Sequence, residues 1–120
     1  MKLKTIGFYR ELRHGFKDGE SILKQVNKNA LENEIRVIEY LDSGKILCVS
    51  PGLIYDILDE QKEIIGSLDI RTDGIWAWPS DLSYYVKKYH LTLNNEFVIH
   101  MMKNDWIIPN KIDMSILELP

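Results

Sequence analysis

The segment from Ser67 to His90 constrains the fold more than any other part of the chain. It contains the pair Asp73-Gly74, which favours a two-residue hairpin turn in which both residues have positive φ. With Thr72 opposite Ile75, alternation places two sets of side chains on opposite faces of the sheet. One face would carry Leu68, Ile70, Thr72, Ile75 and Ala77, and the other Ser67, Asp69, Arg71, Trp76 and Trp78.

The residues that follow the hairpin predict a helix. Pro79 ends the strand and suits the first turn of a helix, where its missing N–H is not needed. Apolar residues then recur at i, i+3, i+4 and i+7, which is the spacing of one buried helical face. These residues are Leu82, Tyr85, Val86 and Tyr89, with Tyr84 to the side of the stripe and expected to be exposed.

Weaker patterns suggest the remaining elements. Ile46 to Val49 is a short, continuous apolar run that includes Cys48, and it predicts a buried strand followed by a turn at Pro51-Gly52. Asn94 is placed to cap a helix whose first turn contains Glu96. A further helical stripe would end at Gly44 and comprise Leu31, Ile35, Ile38 and Leu41.

Together these elements predict an α+β domain, with a small, mainly antiparallel sheet and three or four helices in a single pair of layers. A chain of 120 residues forms one domain, so we expect residues 1–120 to fold together. No apolar run reaches the length of a membrane span, and the first residues lack the apolar core of a signal peptide. The single cysteine favours a reducing compartment, which predicts a cytoplasmic protein.

The sequence contains no recognisable catalytic or metal-binding motif. The three histidines do not have the i, i+4 spacing of a helical metal pair, and there is no second cysteine to complete a site. The glycines stand singly, without a phosphate-binding loop. We therefore predict no catalytic residues, metal or cofactor, and favour a non-enzymatic role without excluding an enzyme.

The best candidate site is the polar and aromatic face of the hairpin, with Asp69, Arg71, Trp76 and Trp78. If partly open, this platform could stack a base, a sugar or a partner's side chain. The alternative is that a helix, such as Leu82–Tyr89, covers the platform as part of the core. Tyr84 could add a second exposed aromatic ring.

A second candidate is the acidic middle of the chain. Residues 31–75 contain four Lys/Arg against ten Asp/Glu, a balance of −6, although the whole chain carries only −3. This distribution favours a basic protein partner, with Glu60 and Glu63 as candidate contacts. An ordinary solvated polar loop is the alternative. The acidic character also argues against nucleic-acid binding.

Residues 72–106 resemble a group of small, uncharacterised bacterial proteins that share a pattern of TDG, two tryptophans around one residue, and a helix containing Tyr-Tyr-Val. Such proteins often have Leu-Pro where this chain has Leu93-Asn94, and the resemblance implies no established activity. The chain is also similar in general character to immunity proteins of bacterial toxin systems. The matching residues are Thr72, Asp73, Gly74, Trp76, Trp78, Pro79, Asp81, Leu82, Tyr84, Tyr85, Val86, Tyr89, His90, Phe97, His100 and Trp106.

The leading hypothesis is a protein-binding module without catalytic activity, and neutralisation of a bacterial toxin is its most specific form. The alternative is a small-molecule or nucleotide-binding domain, or a minor enzyme, that uses the platform of Trp76 and Trp78. Neither a membrane nor a nucleic acid is an expected partner. The oligomeric state is left open.

Overall fold

The computed structural model describes all 120 residues of the chain. Short 3₁₀ turns at Ile22–Lys24 and Met114–Ile116 lie outside the main elements. None of the helices combines the length and the apolarity needed to cross a membrane. In chain order the elements are β1 (Lys4–Thr5), α1 (Glu34–Asp42), β2 (Lys45–Tyr55), β3 (Ile64–Thr72), β4 (Trp76–Pro79), α2 (Leu82–Tyr89) and α3 (Asn95–Lys103).

The four strands form one mixed sheet in the order β1-β4-β3-β2. The pairs β2–β3 and β3–β4 are antiparallel, whereas β1 runs parallel to β4, with Lys4 opposite Trp76. The prediction of an α+β domain with three or four helices is confirmed, with three α-helices observed. The prediction of a mainly antiparallel sheet is corrected, because the N-terminal strand reaches β4 through a long connection rather than a hairpin.

The β3–β4 hairpin keeps the predicted faces but not the predicted register. Arg71 pairs with Trp78 and Thr72 with Ala77, a shift of two residues that leaves every side chain on its expected face. The loop is one residue longer than predicted, because the Asp73 carboxylate accepts hydrogen bonds from the amides of Ile75 and Trp76. Asp73 is not among the residues with positive φ, so the predicted type I′ turn is wrong.

Both faces of the sheet are covered. On one face, Trp76 and Trp78 pack with residues of all three helices in the main core. On the other, Ile70 and Ala77 pack with Leu3 and Phe8 from the N-terminal segment, and Leu117 from the C-terminal segment packs against this smaller core. Helices therefore form a second layer on one face only, and irregular segments close the other.

Helix α1 buries a different stripe from the one predicted. Val37, Tyr40 and Leu41 are buried, whereas Ile35 is 73% exposed. Tyr40 decides this orientation, since its ring packs against Trp78 with centroids 6.0 Å apart. Gly44 follows the helix as predicted, but its role is close packing: a Cβ atom there would lie 2.6 Å from the Trp78 ring.

Helix α2 confirms its predicted buried face in part, and helix α3 confirms its predicted N-cap. Leu82, Tyr85 and Val86 of α2 are buried, and Tyr89 is half-buried. In α3 the Asn94 side chain accepts a hydrogen bond from the amide of Glu96, as the predicted N-cap requires.

Replacing Val86 by alanine should lower the free energy of unfolding by about 1–3 kcal/mol, because buried methyl groups are lost and a cavity is left. Lys87→Ala is the matched control, since the neighbouring Lys87 side chain is exposed on the same helix. Its effect should stay within about 0.5 kcal/mol. Urea denaturation of the two variants makes the comparison, and equal midpoints would contradict the assigned face.

Candidate functional site

The predicted aromatic platform is closed. Trp78 is 0% exposed and Trp76 is 5% exposed. Phe97 of α3 covers both indoles, with ring centroids 5.1 Å from Trp76 and 5.6 Å from Trp78. The interpretation in which a helix covers the platform is therefore the correct one: the ring contacts come from Phe97 of α3 and Tyr40 of α1, and Leu82–Tyr89 contributes to the same core.

The polar groups of the platform join the sheet to the end of α1. The Trp78 Nε1–H donates to the Leu41 carbonyl at 3.1 Å, and the Arg71 guanidinium donates to the Asp42 carbonyl at 2.8 Å. Arg71 also donates to Asp69 at 2.8 Å. Carbonyls at a helix C-terminus lack partners within the helix. Trp78 and Arg71 therefore satisfy the end of α1 instead of presenting a surface to a ligand.

The connection between β2 and β3 is built around the buried carboxylate of Asp56. This carboxylate accepts hydrogen bonds from the Tyr89 hydroxyl at 2.7 Å and from the Tyr84 hydroxyl and the Lys88 ammonium at 2.9 Å each. It also accepts from the Leu58 amide. Asp56 thus ties the connection to one side of α2, and Tyr84 belongs to this network rather than standing as a free aromatic ring.

The electrostatics of the Asp56 network suit a structural role. Burial alone would raise the pKa of Asp56, but the hydrogen bonds from Tyr89, Lys88 and Tyr84 outweigh it and hold the pKa below its ordinary value. The hydrogen bond to Asp56 raises the pKa of Lys88, and burial, followed by the same carboxylate, raises the pKa of Tyr89 to about 12. General acid–base catalysis needs a pKa near the working pH. These shifts move each group away from that range.

Each histidine pairs with a carboxylate of its own. The nitrogen–oxygen distances are 2.9 Å for His14–Asp81, 2.8 Å for His90–Glu34 and 2.9 Å for His100–Asp73. The three pairs lie in different parts of the fold. No group of three or more histidine, cysteine, aspartate and glutamate side chains is arranged to hold a metal ion.

The surface with the clearest interaction character is the open edge of the sheet. β2 pairs only with β3, so its outer edge has no neighbouring strand. Large apolar side chains are exposed along β2 and at the first residue of β3, which pairs with the end of β2. The most exposed of them is Val49, at 71%. We call this set the edge surface: Ile46, Val49, Leu53, Tyr55 and Ile64.

The edge surface ends at an acidic loop. Tyr55 pairs with Ile64, so residues 56–63 form the connection at this end of β2. Glu60 and Glu63 are exposed and Asp59 is half-buried, as the predicted acidic surface requires. Lys88 lies near the Glu63 carboxylate, at 3.4 Å. The structure thus places Glu60 and Glu63 in the connection between the exposed residues Tyr55 and Ile64.

The sequence pattern does not predict the exposure of the edge surface, because the continuous apolar run Ile46–Val49 is typical of a buried strand. Cys48 is exposed, which corrects its prediction as a small buried residue. One signal was present. Pro51 and Gly52 lie inside β2 at a register shift between Ser50 and Leu53, and proline within a strand is confined to edge strands and bulges.

Comparison of the chain with known protein families, with curated proteins and with solved structures returns no match.

Proposed function

We propose that the protein is a protein-binding module without catalytic activity, and that it binds a basic partner through the edge surface and the adjoining acidic loop. The observation that carries this proposal is the concentration of exposed apolar side chains on a strand edge with free pairing capacity. Scattered exposed apolar residues are ordinary, but several of them along an unpaired strand edge mark a binding surface or an aggregation hazard.

The charge of the neighbouring loop selects the partner. Asp59, Glu60 and Glu63 lie in the connection at the end of the edge surface. Lys62 and Lys88 are the nearby cations. Acidic residues at the rim of an interface attract basic partners and speed association, while apolar residues at its centre slow dissociation. The arrangement therefore favours a partner with an apolar segment next to lysine or arginine.

Neutralisation of a bacterial toxin is the specific form of this function that we propose, in the cytoplasm of the producing cell. It agrees with the general similarity to immunity proteins and with an acidic surface, since a small acidic protein can cover a basic active site. Trp76 and Trp78 do not contribute to the proposed binding surface, because both rings are buried.

Val49→Asp should abolish capture of the partner, because it places a charge at the most exposed apolar residue of the edge surface. The matched control is Ile35→Asp, since Ile35 is equally exposed but lies on α1, outside the edge surface. The experiment compares the wild type and both variants as baits in a lysate of the native host. The proposal requires a basic protein that the wild type and Ile35→Asp retain and that Val49→Asp loses.

Glu60→Gln with Glu63→Gln should lower the association rate of that partner severalfold at low salt, and the difference should fade as salt is added. Val49→Asp should instead raise the dissociation rate by at least about tenfold. Surface-based kinetics with the purified partner separates the two effects. Retention of the same proteins by Val49→Asp, or an association rate unaffected by both substitutions at low salt, would contradict the proposal.

A further inference from the structure

A groove of about 230 Å³ lies between β1, the start of β4 and one side of α3, outside the edge surface. On the α3 side, Ile99, His100 and Lys103 line it, since residues three and four apart share a helix face. Lys4 and Ile75 line the opposite side. The groove therefore joins elements that are remote in sequence and contains three basic side chains, those of Lys4, His100 and Lys103.

The His100 ring has a fixed orientation. Its Nε2 lies 2.9 Å from an Asp73 carboxylate oxygen, and the Asp73 side chain is fully buried. A carboxylate accepts hydrogen bonds, so Nε2 is the nitrogen that carries the proton. The ring also stacks on Phe97, with centroids 6.5 Å apart. Nδ1 makes no hydrogen bond within the chain, and it becomes a donor when His100 is protonated.

The charges that line the groove are unbalanced. Lys4 forms an ion pair with Glu96, the one carboxylate of the lining. Lys103 forms no ion pair with any carboxylate of the chain, and the carboxylate nearest His100, that of Asp73, is buried and already paired with the His100 ring. Ile75 and Ile99 are each 43% exposed at the same groove. The lining thus offers positive charge and apolar surface together.

We propose that this groove binds a small organic anion. Its carboxylate would lie between Lys103 and the protonated ring of His100, and its apolar body would pack against Ile75 and Ile99. Charge-assisted hydrogen bonds to a carboxylate fix the orientation, while the exposed isoleucines favour a body that is itself apolar. This site is independent of the edge surface and of any protein partner.

The test titrates the full chain with benzoate at constant ionic strength, and with benzamide, which has the same ring but no charge. Two-dimensional ¹H–¹⁵N spectra should show saturable shifts around residues 99–103 and 75–76 with benzoate, at half-saturation on the order of 1 mM, and no saturable shifts with benzamide. For each variant, unchanged signals from residues outside the groove establish that the protein is folded.

Lys103→Gln should weaken benzoate binding about fivefold, as expected for one exposed charge. His100→Gln should weaken it by a similar factor, since it removes the positive charge that the protonated ring would place next to the carboxylate. Lys28→Gln is the matched control, because Lys28 is exposed and lies outside the groove. An equal response to benzamide, no saturable shift with benzoate, or equal losses in Lys103→Gln and Lys28→Gln would overturn the proposal.

Discussion

Asp73→Ala should lower the free energy of unfolding by about 3–5 kcal/mol, because it removes a fully buried carboxylate that serves several donors at once. One oxygen accepts from the Ile75 and Trp76 amides, at 2.9 and 2.8 Å. The other accepts from the Tyr40 hydroxyl at 2.5 Å and from His100 at 2.9 Å. The substitution therefore loosens the hairpin turn and its attachments to α1 and α3 together.

Two further variants make the measurement specific. Tyr40→Phe removes a single donor of the same network and should cost about 1 kcal/mol. Asp18→Ala is the surface control, since Asp18 is exposed in the N-terminal segment, and it should change stability by less than about 0.5 kcal/mol. Urea denaturation gives all three values. If Asp73→Ala costs no more than Asp18→Ala, Asp73 does not hold these elements together.

Asp56→Ala should lower the free energy of unfolding by about 2–4 kcal/mol. The carboxylate is buried and accepts from Tyr84, Lys88 and Tyr89, so its loss leaves the two tyrosine hydroxyls without their partner. Lys88 stays in contact with solvent, which keeps the cost below that of stranding a buried charge. The β2–β3 connection should loosen first, because Asp56 is its main attachment to α2.

The same residue predicts an acid-dependent loss of stability. The pKa of Asp56 is lower in the folded chain than its ordinary value of 3.8, so its ionised form stabilises the fold. This contribution is complete at neutral pH and is lost as the pH falls below about 4 and through the folded-state pKa. Asp56→Asn keeps the shape of the side chain but cannot ionise.

Denaturation midpoints of the wild type and Asp56→Asn, measured from neutral pH down to about pH 2, test this prediction. The difference between the two proteins should be largest at neutral pH and should shrink as the acid range is entered. A difference that is constant across the whole range would show that the charge of Asp56 does not contribute to stability.

The local elements could be predicted from sequence because their signals lie within a few residues. The alternation around Asp73-Gly74 placed Trp76 and Trp78 on one face, and the assignment survived an error of two residues in register, since side chains alternate with a period of two. The helical face of α2 followed from its spacing, and the Asn94 cap from its position before α3.

The environment of those residues could not be predicted in the same way. Phe97, which covers the tryptophans, follows them by about twenty residues, and nothing in the spacing of Trp76 and Trp78 identifies it. Likewise, Asp56 meets Tyr84, Lys88 and Tyr89 across separations of 28–33 residues. In the sequence it is one of several acidic residues in a polar stretch.

The position of a strand within the sheet was also beyond local reasoning. The run Ile46–Val49 has the composition of a central strand, yet β2 lies at the edge, because β3 pairs with β2 on one side and with β4 on the other. Pro51 was the one residue that favoured the edge, through its missing N–H. The candidate surface depends on this sheet order.

The sequence by itself determined the hairpin faces, the buried side of α2, the cap of α3 and the acidic character of the β2–β3 connection. Each of these depends on periodicity, turn chemistry or charge within one short segment. The tertiary structure alone decided that the tryptophans are covered, that β2 is an open edge, and that Asp56, Asp73 and His100 meet their partners. These contacts join residues far apart in the chain, and only the packing of the whole domain selects them.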